Sequence, residues 1–154
     1  MERKVAELEL GLFTSGYQRY PLEQAFEDAS RFGYDYIELW GGYPHAYVED
    51  LTARGVGEID RLIQKYRMPV KCFTPEHNGY PFNYMAGDEF QWERSMVYLE
   101  KAIELTAAMG APMMLFSAGC VNLWKSCWAI SISLLSPAAL TFRVAMSTAL
   151  RLMS

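Results

Sequence analysis

The sequence predicts a parallel α/β fold, in which short apolar strands form a sheet covered by helices. Three observations point to it. Residues 5–117 repeat one pattern four times: a short apolar run, a polar loop, then a segment of helical period. The loops that follow the runs are long and carry aromatic and polar residues. The loops that follow the helices are short, which is the asymmetry of a fold whose site lies at the carboxyl ends of its strands. Two architectures accommodate this pattern, an open doubly wound sheet and part of a (β/α)8 barrel. No glycine-rich phosphate fingerprint follows the first run, which counts against a nucleotide-binding sheet.

The first run is Leu8–Thr14, and its loop extends to Tyr20. Pro21 suits a helix start, because its missing N–H is one the first turn leaves unpaired anyway. Leu22, Ala25, Phe26, Ala29 and Phe32 then mark one helical face, and Gly33 supplies the stop. The second run is Tyr36–Trp40, with Gly41, Gly42, Pro44 and His45 in its loop. Val56, Ile59, Leu62, Ile63 and Tyr66 form the next helical stripe, which Pro69 ends. Val70–Phe73 is the third run, followed by a loop from Thr74 to Asp88 rich in Gly, Pro, Asn and Tyr. A third helix is expected from about Glu89 to Met109, with Trp92, Met96, Leu99 and Ile103 on one side. Gly110 closes it before the fourth run, Pro112–Phe116.

Composition divides the chain in two. The 154 residues are 51% hydrophobic and 21% charged, with net charge −4, which excludes disordered, collagen-like and disulfide-scaffold classes. A pI near 5.2 leaves no footprint for nucleic acid. Cys72, Cys120 and Cys127 fit neither a disulfide framework nor a zinc spacing, so a cytoplasmic location is expected. The N-terminus shows no apolar stretch of signal-peptide length. All 18 acidic residues precede Ala118, the last being Glu104, whereas the final 37 residues contain only the bases Lys125, Arg143 and Arg151. Residues 126–142 are 17 uncharged residues, at the lower limit of the ~17–25 needed to span a membrane. Four serines and Pro137 weaken that reading, and no regular element is expected there. The segment is read as out-of-frame text, with a membrane anchor and an unusual native end as alternatives.

Several residues could carry chemistry. In Tyr36–Trp40, alternation sets Tyr36, Glu38 and Trp40 on one face and Ile37 and Leu39 on the other. Glu38 is read as a structural carboxylate tied to a neighbouring strand, with a catalytic role as the alternative. Trp40 followed by two glycines offers a flat wall beside closely approachable backbone, suited to a sugar-like ligand or simply to a tight turn. His45 is read as a loop histidine without a role of its own, with a ligand or acid–base group as the alternative. Thr74–Pro81 is the densest polar stretch and contains Glu76, His77, Asn78 and Tyr80. With two histidines in the chain, a His-rich zinc site is excluded. Lys71 is read as an edge or rim lysine and Cys72 as a small buried hydrophobe.

FTSGYQRYPLEQAFEDASRFGYDYIELWGGYPHAY followed by FTPEHNGYPFNYMAGDE resembles the N-terminal half of the fructoselysine 3-epimerase family. That family lies within the xylose isomerase-like TIM barrels, the sugar isomerase/epimerase superfamily. The pair WGGYPHA and TPEHNGYPFN carries the resemblance most specifically. It runs from about Leu10 to Ala118 and implies the first four βα units of a (β/α)8 TIM barrel in residues 1–118, followed by a non-homologous tail at 119–154. It also implies proton transfer beside a sugar carbonyl, through an enediolate held by a divalent metal cation. The family draws two Glu, one Asp and one His for that cation from later strands, so no metal and no catalytic residue is expected here, and the chain alone is expected to be inactive. Phe13, Trp40, His45, Glu76, Asn78 and Tyr80 match positions that would wall the pocket of a sugar or sugar-amine substrate. No nucleic acid or membrane partner is expected. Half a barrel would leave its first and fourth strands as open edges, so self-association is expected. A compact sugar-binding or membrane-associated module is the alternative.

Overall fold

A computed structural model describes residues 8–76, 81–84 and 89–117, together with the backbone strand 129–133. The chain runs β1 (Gly11–Phe13), a 3-10 turn (Thr14–Tyr17), α1 (Leu22–Phe32), β2 (Tyr36–Gly41), α2 (Val48–Arg54), α3 (Gly57–Tyr66), β3 (Val70–Pro75), α4 (Glu89–Ala108), β4 (Met113–Ser117) and β5 (Ala129–Ser133). The first four strands are parallel and lie side by side in chain order. A doubly wound sheet reverses its strand order at a switch point, whereas a barrel wall adds each strand to the same side of the last. The order β1-β2-β3-β4 therefore decides between the two architectures in favour of the barrel wall.

The expected helices form because each buries its apolar face against the sheet. Leu22, Ala25, Phe26 and Ala29 of α1 are buried, and so are Ile59 and Leu62 of α3. Leu99, Ala102 and Leu105 of α4 join the same core, which they share with Ile37, Leu39, Phe73, Met114 and Phe116 from the strands. Gly33 ends α1 in the left-handed conformation, φ 77°, and its N–H donates to the Ala29 carbonyl. Arg67 ends α3 in the same region, φ 53°, without a glycine's freedom.

Four features depart from the sequence-based expectations. The stretch after β2 is not only a loop, because Val48 and Leu51 bury themselves and hold seven residues as α2. The pairing of β2 with β3 shifts register between Ile37↔Val70 and Glu38↔Cys72, so Lys71 is one residue extra, a bulge. Lys71 is thus on an interior strand rather than an edge. Its ammonium pairs with Glu9 and stands 5.5 Å from the Tyr36 ring. The tail, expected to hold no regular element, contributes β5, in which Ile alternates with Ser. It pairs antiparallel with β4, from Met113↔Ser133 to Ser117↔Ala129. That pairing satisfies the backbone groups on the far side of β4, so the fourth strand is not the open edge that was expected. The rest of residues 118–154 lies outside the described residues. Among the described residues no helix is long and apolar enough to cross a membrane.

The two faces of the sheet differ. Ile37, Leu39, Phe73, Met114 and Phe116 are fully buried beneath the helices. Tyr36, Glu38, Trp40, Thr74, Met113 and Leu115 occupy the opposite, half-exposed face. This is the alternation read from the second run, now extended over three strands.

Candidate functional site

The carboxyl ends of β1, β2 and β3 converge because parallel pairing aligns them. Phe13 stands beside Glu38, Trp40 beside Thr74, and Gly41 beside Pro75. Just past β1, the fully buried Thr14 accepts the Trp40 backbone N–H on its hydroxyl at 2.9 Å, which fixes where β2 ends. Glu38 Oε1 accepts the Thr74 hydroxyl at 2.8 Å, so it is held to a neighbouring strand as read from the sequence.

Gly42 is the centre of the cluster. A Cβ placed on it would lie 2.0 Å from Trp40 Cζ2 and 2.4 Å from Glu76 Oε2. The Trp40 indole and the Glu76 carboxylate therefore both close over the bare backbone, which only glycine permits. His45 lies at an edge of the same tryptophan, with ring centroids 6.2 Å apart and planes at 86°. Its Nε2 donates to the Tyr20 carbonyl at 2.8 Å, and its backbone N–H donates to the Gly42 carbonyl at 3.1 Å. A carbonyl can only accept, so Nε2 carries a proton. Nδ1 is buried and has no hydrogen-bond partner among the described residues.

Aromatic residues buttress the exit of β3 from behind. The buried Tyr98 of α4 donates its hydroxyl to the Glu76 carbonyl at 2.7 Å. Phe82 stacks on Tyr98 at 4.0 Å, and Tyr47 lies 6.2 Å away on another side. Burial raises the Tyr98 phenol well above its ordinary range, so it stays a donor at every working pH. Burial, followed by the Glu38 charge, likewise raises the Cys72 thiol, in keeping with its reading as a small hydrophobe rather than a nucleophile.

Of the six residues singled out in the sequence, Trp40, His45 and Glu76 come together, and Phe13 stands at the adjacent strand end, 40% exposed. Asn78 and Tyr80 lie outside the described residues. Sequence reading missed Thr14 and Thr74 as the groups that hold Trp40 and Glu38. The signal was a hydroxyl residue at each strand exit, which has meaning only once the strands are paired. Among the described residues no three His, Cys, Asp or Glu side chains gather in a way that could hold a metal ion. Those residues therefore do not fit the divalent cation that the resemblance implies.

Comparison with known proteins agrees with this architecture. Residues 26–139 match the family model of the xylose isomerase-like TIM barrel. Over 111 residues the chain is 49% identical to fructoselysine 3-epimerase of Shigella flexneri, covering 72% of this chain and 40% of that protein. The protein of the same name from Escherichia coli O157:H7 is 48% identical over the same length. The chain thus spans about two fifths of the length of these relatives. Among solved structures, apo 3-keto-D-glucoside 4-epimerase of E. coli superposes with a TM-score of 0.57 at 16% identity, over 96% of this chain and 51% of that one. A Sinorhizobium meliloti protein superposes with a TM-score of 0.50 at 14% identity, over 75% and 39%. Likenesses this remote in sequence bear on the fold alone. The sequential parallel wall and the family match give one conclusion: the chain belongs to the xylose isomerase-like TIM barrel family.

Proposed function

We propose that this chain is the substrate-facing half of a ketose 3-epimerase of the fructoselysine 3-epimerase type. The observation that carries the reading is the closure of Trp40 and Glu76 over Gly42. It offers a flat apolar wall and an acceptor side by side at the strand exits, the combination a polyhydroxy ligand with one apolar face requires. In this reading Phe13, Trp40, His45, Glu76, Asn78 and Tyr80 wall a pocket for a sugar or sugar-amine. Trp40 stacks on the sugar, Glu76 accepts hydroxyl or ammonium hydrogens, and His45 holds the β2 exit in place.

Among the described residues no set of three or more metal-ligating side chains gathers, and the 154-residue chain alone is proposed to be inactive. It is also proposed to be cytoplasmic, and residues 119–154 to be out-of-frame text. Translation of the other two frames after codon 118 should restore acidic residues and further strands, and their absence from both frames sinks the tail proposal. The functional reading is tested by a chimera in which the matched 111 residues of this chain replace the corresponding segment of the Shigella flexneri relative. Exchange of solvent deuterium into fructoselysine, followed by NMR, is expected from the chimera and not from the 154-residue chain. A folded but inactive chimera overturns the substrate assignment, and exchange by the isolated chain overturns its inactivity.

A further inference from the structure

The outer side of α4 carries apolar and charged groups that stand exposed or without ion pairs among the described residues. Phe90 and Val97 are 74% and 52% exposed and lie seven residues apart, on one side of the helix. Glu93 and Arg94 sit between them, both exposed. A hollow of about 320 Å³ beside them is lined by Glu49, Phe82, Tyr98 and Lys101 as well. None of Glu49, Glu93, Arg94 and Lys101 enters an ion pair among the described residues.

We propose that this face is a two-fold contact with a second copy of the chain, the two α4 helices antiparallel and crossing between Glu93 and Arg94. In a two-fold contact, whatever residue one copy presents to its partner is presented back in return. Antiparallel helices that cross at this point set Phe90 of one copy against Val97 of the other, and Glu93 against Arg94. Each pairing occurs twice. Apolar groups meet apolar groups, and each charge meets its opposite. A parallel pairing of the same face would set Glu93 on Glu93 and Arg94 on Arg94, which repel. The rim holds two acids and two bases, so it selects neither an anionic surface nor a cationic ligand. That balance favours a partner carrying the same pattern, and the inference does not depend on the epimerase reading.

The test is sedimentation velocity of the 154-residue chain over a range of concentrations. A reversible dimer is expected. Glu93→Arg and Arg94→Glu should each weaken it by about tenfold or more, because each sets like charges face to face twice. The double variant, which exchanges the two charges, should restore it. Circular dichroism checks that each variant keeps its helices. If a reversal does not fold, Phe90→Ser and Val97→Ser make the same test at side chains that the monomer leaves exposed. A chain that stays monomeric overturns the proposal. So does association, as a dimer or larger, that both single reversals leave intact, or a double variant no stronger than the singles.

Discussion

Thr74 donates its hydroxyl to Glu38 Oε1 across the β2–β3 pairing, on the same face as Cys72. One hydroxyl thus satisfies a half-buried carboxylate, and that carboxylate adds to burial, the larger cause, in raising the Cys72 thiol. Thr74→Val keeps the shape and removes the donor, so a loss of ~1–2 kcal/mol is expected in urea unfolding. Glu38→Gln should move the rate–pH profile of Cys72 alkylation to lower pH, read in a background carrying Cys120→Ser and Cys127→Ser. An unchanged profile would show that burial alone sets the thiol.

The contact over Gly42 makes that position sensitive to any added side-chain volume. Gly42→Ala must displace the Trp40 indole, the Glu76 carboxylate or both. The expected cost is ~1–3 kcal/mol, as for other overpacked positions, with a shift in tryptophan emission. Wild-type emission and stability would contradict the close approach.

Arg67 occupies a left-handed conformation that costs a side-chain-bearing residue energy. Its exposed side chain enters none of the ion pairs among the described residues. Arg67→Gly should therefore stabilise the chain by ~0.5–1 kcal/mol, seen as a higher thermal midpoint, since glycine is the usual residue at such helix ends. A lower midpoint would mean that the arginine side chain contributes more than the backbone strain removes.

Glu23 pins α1 to α3. Lys65 reaches its Oε1 at 2.6 Å, Arg61 its Oε2 at 3.4 Å, and the Tyr66 hydroxyl its Oε1 at 3.1 Å. Led by the Lys65 hydrogen bond, these contacts lower the carboxyl from 4.5 to about 2. A group lowered on folding stabilises above its unfolded value and loses that contribution as pH falls through its folded value. The thermal midpoint of the wild-type chain should therefore fall more steeply between pH 4.5 and 2 than that of Glu23→Gln. Parallel curves would assign the acid sensitivity to other carboxylates. Lys65 is raised by the same contact, so its share of the pairing is retained at neutral pH and lost only in strong alkali.

What the sequence disclosed depended on how far each signal reaches along the chain. The helices α1, α3 and α4 were legible because each repeats apolar residues over three turns or nearly so, and Gly33 marks a stop by a purely local rule. The seven residues of α2 hold only two buried anchors, Val48 and Leu51, too few to show a period. The bulge at Lys71 could not be read from Val70–Phe73, because register is a property of two strands. The same holds for the site. Trp40 and His45 lie close in sequence and were found together, whereas Glu76, singled out on its own, and the missed Thr14 and Thr74 reach the cluster only when three strands align.

The extra residue in β3 also says where this strand can change length. Alternation means that one lost residue ordinarily reverses every side chain beyond it. Here the bulge absorbs the loss: without Cys72, Lys71 would face Glu38, and Phe73 would still face Leu39. Loss of Lys71 would leave Val70 and Cys72 opposite Ile37 and Glu38 as before. The bulge at positions 71 and 72 is thus a point in this strand where a single-codon deletion leaves the side chains beyond it on their proper sides.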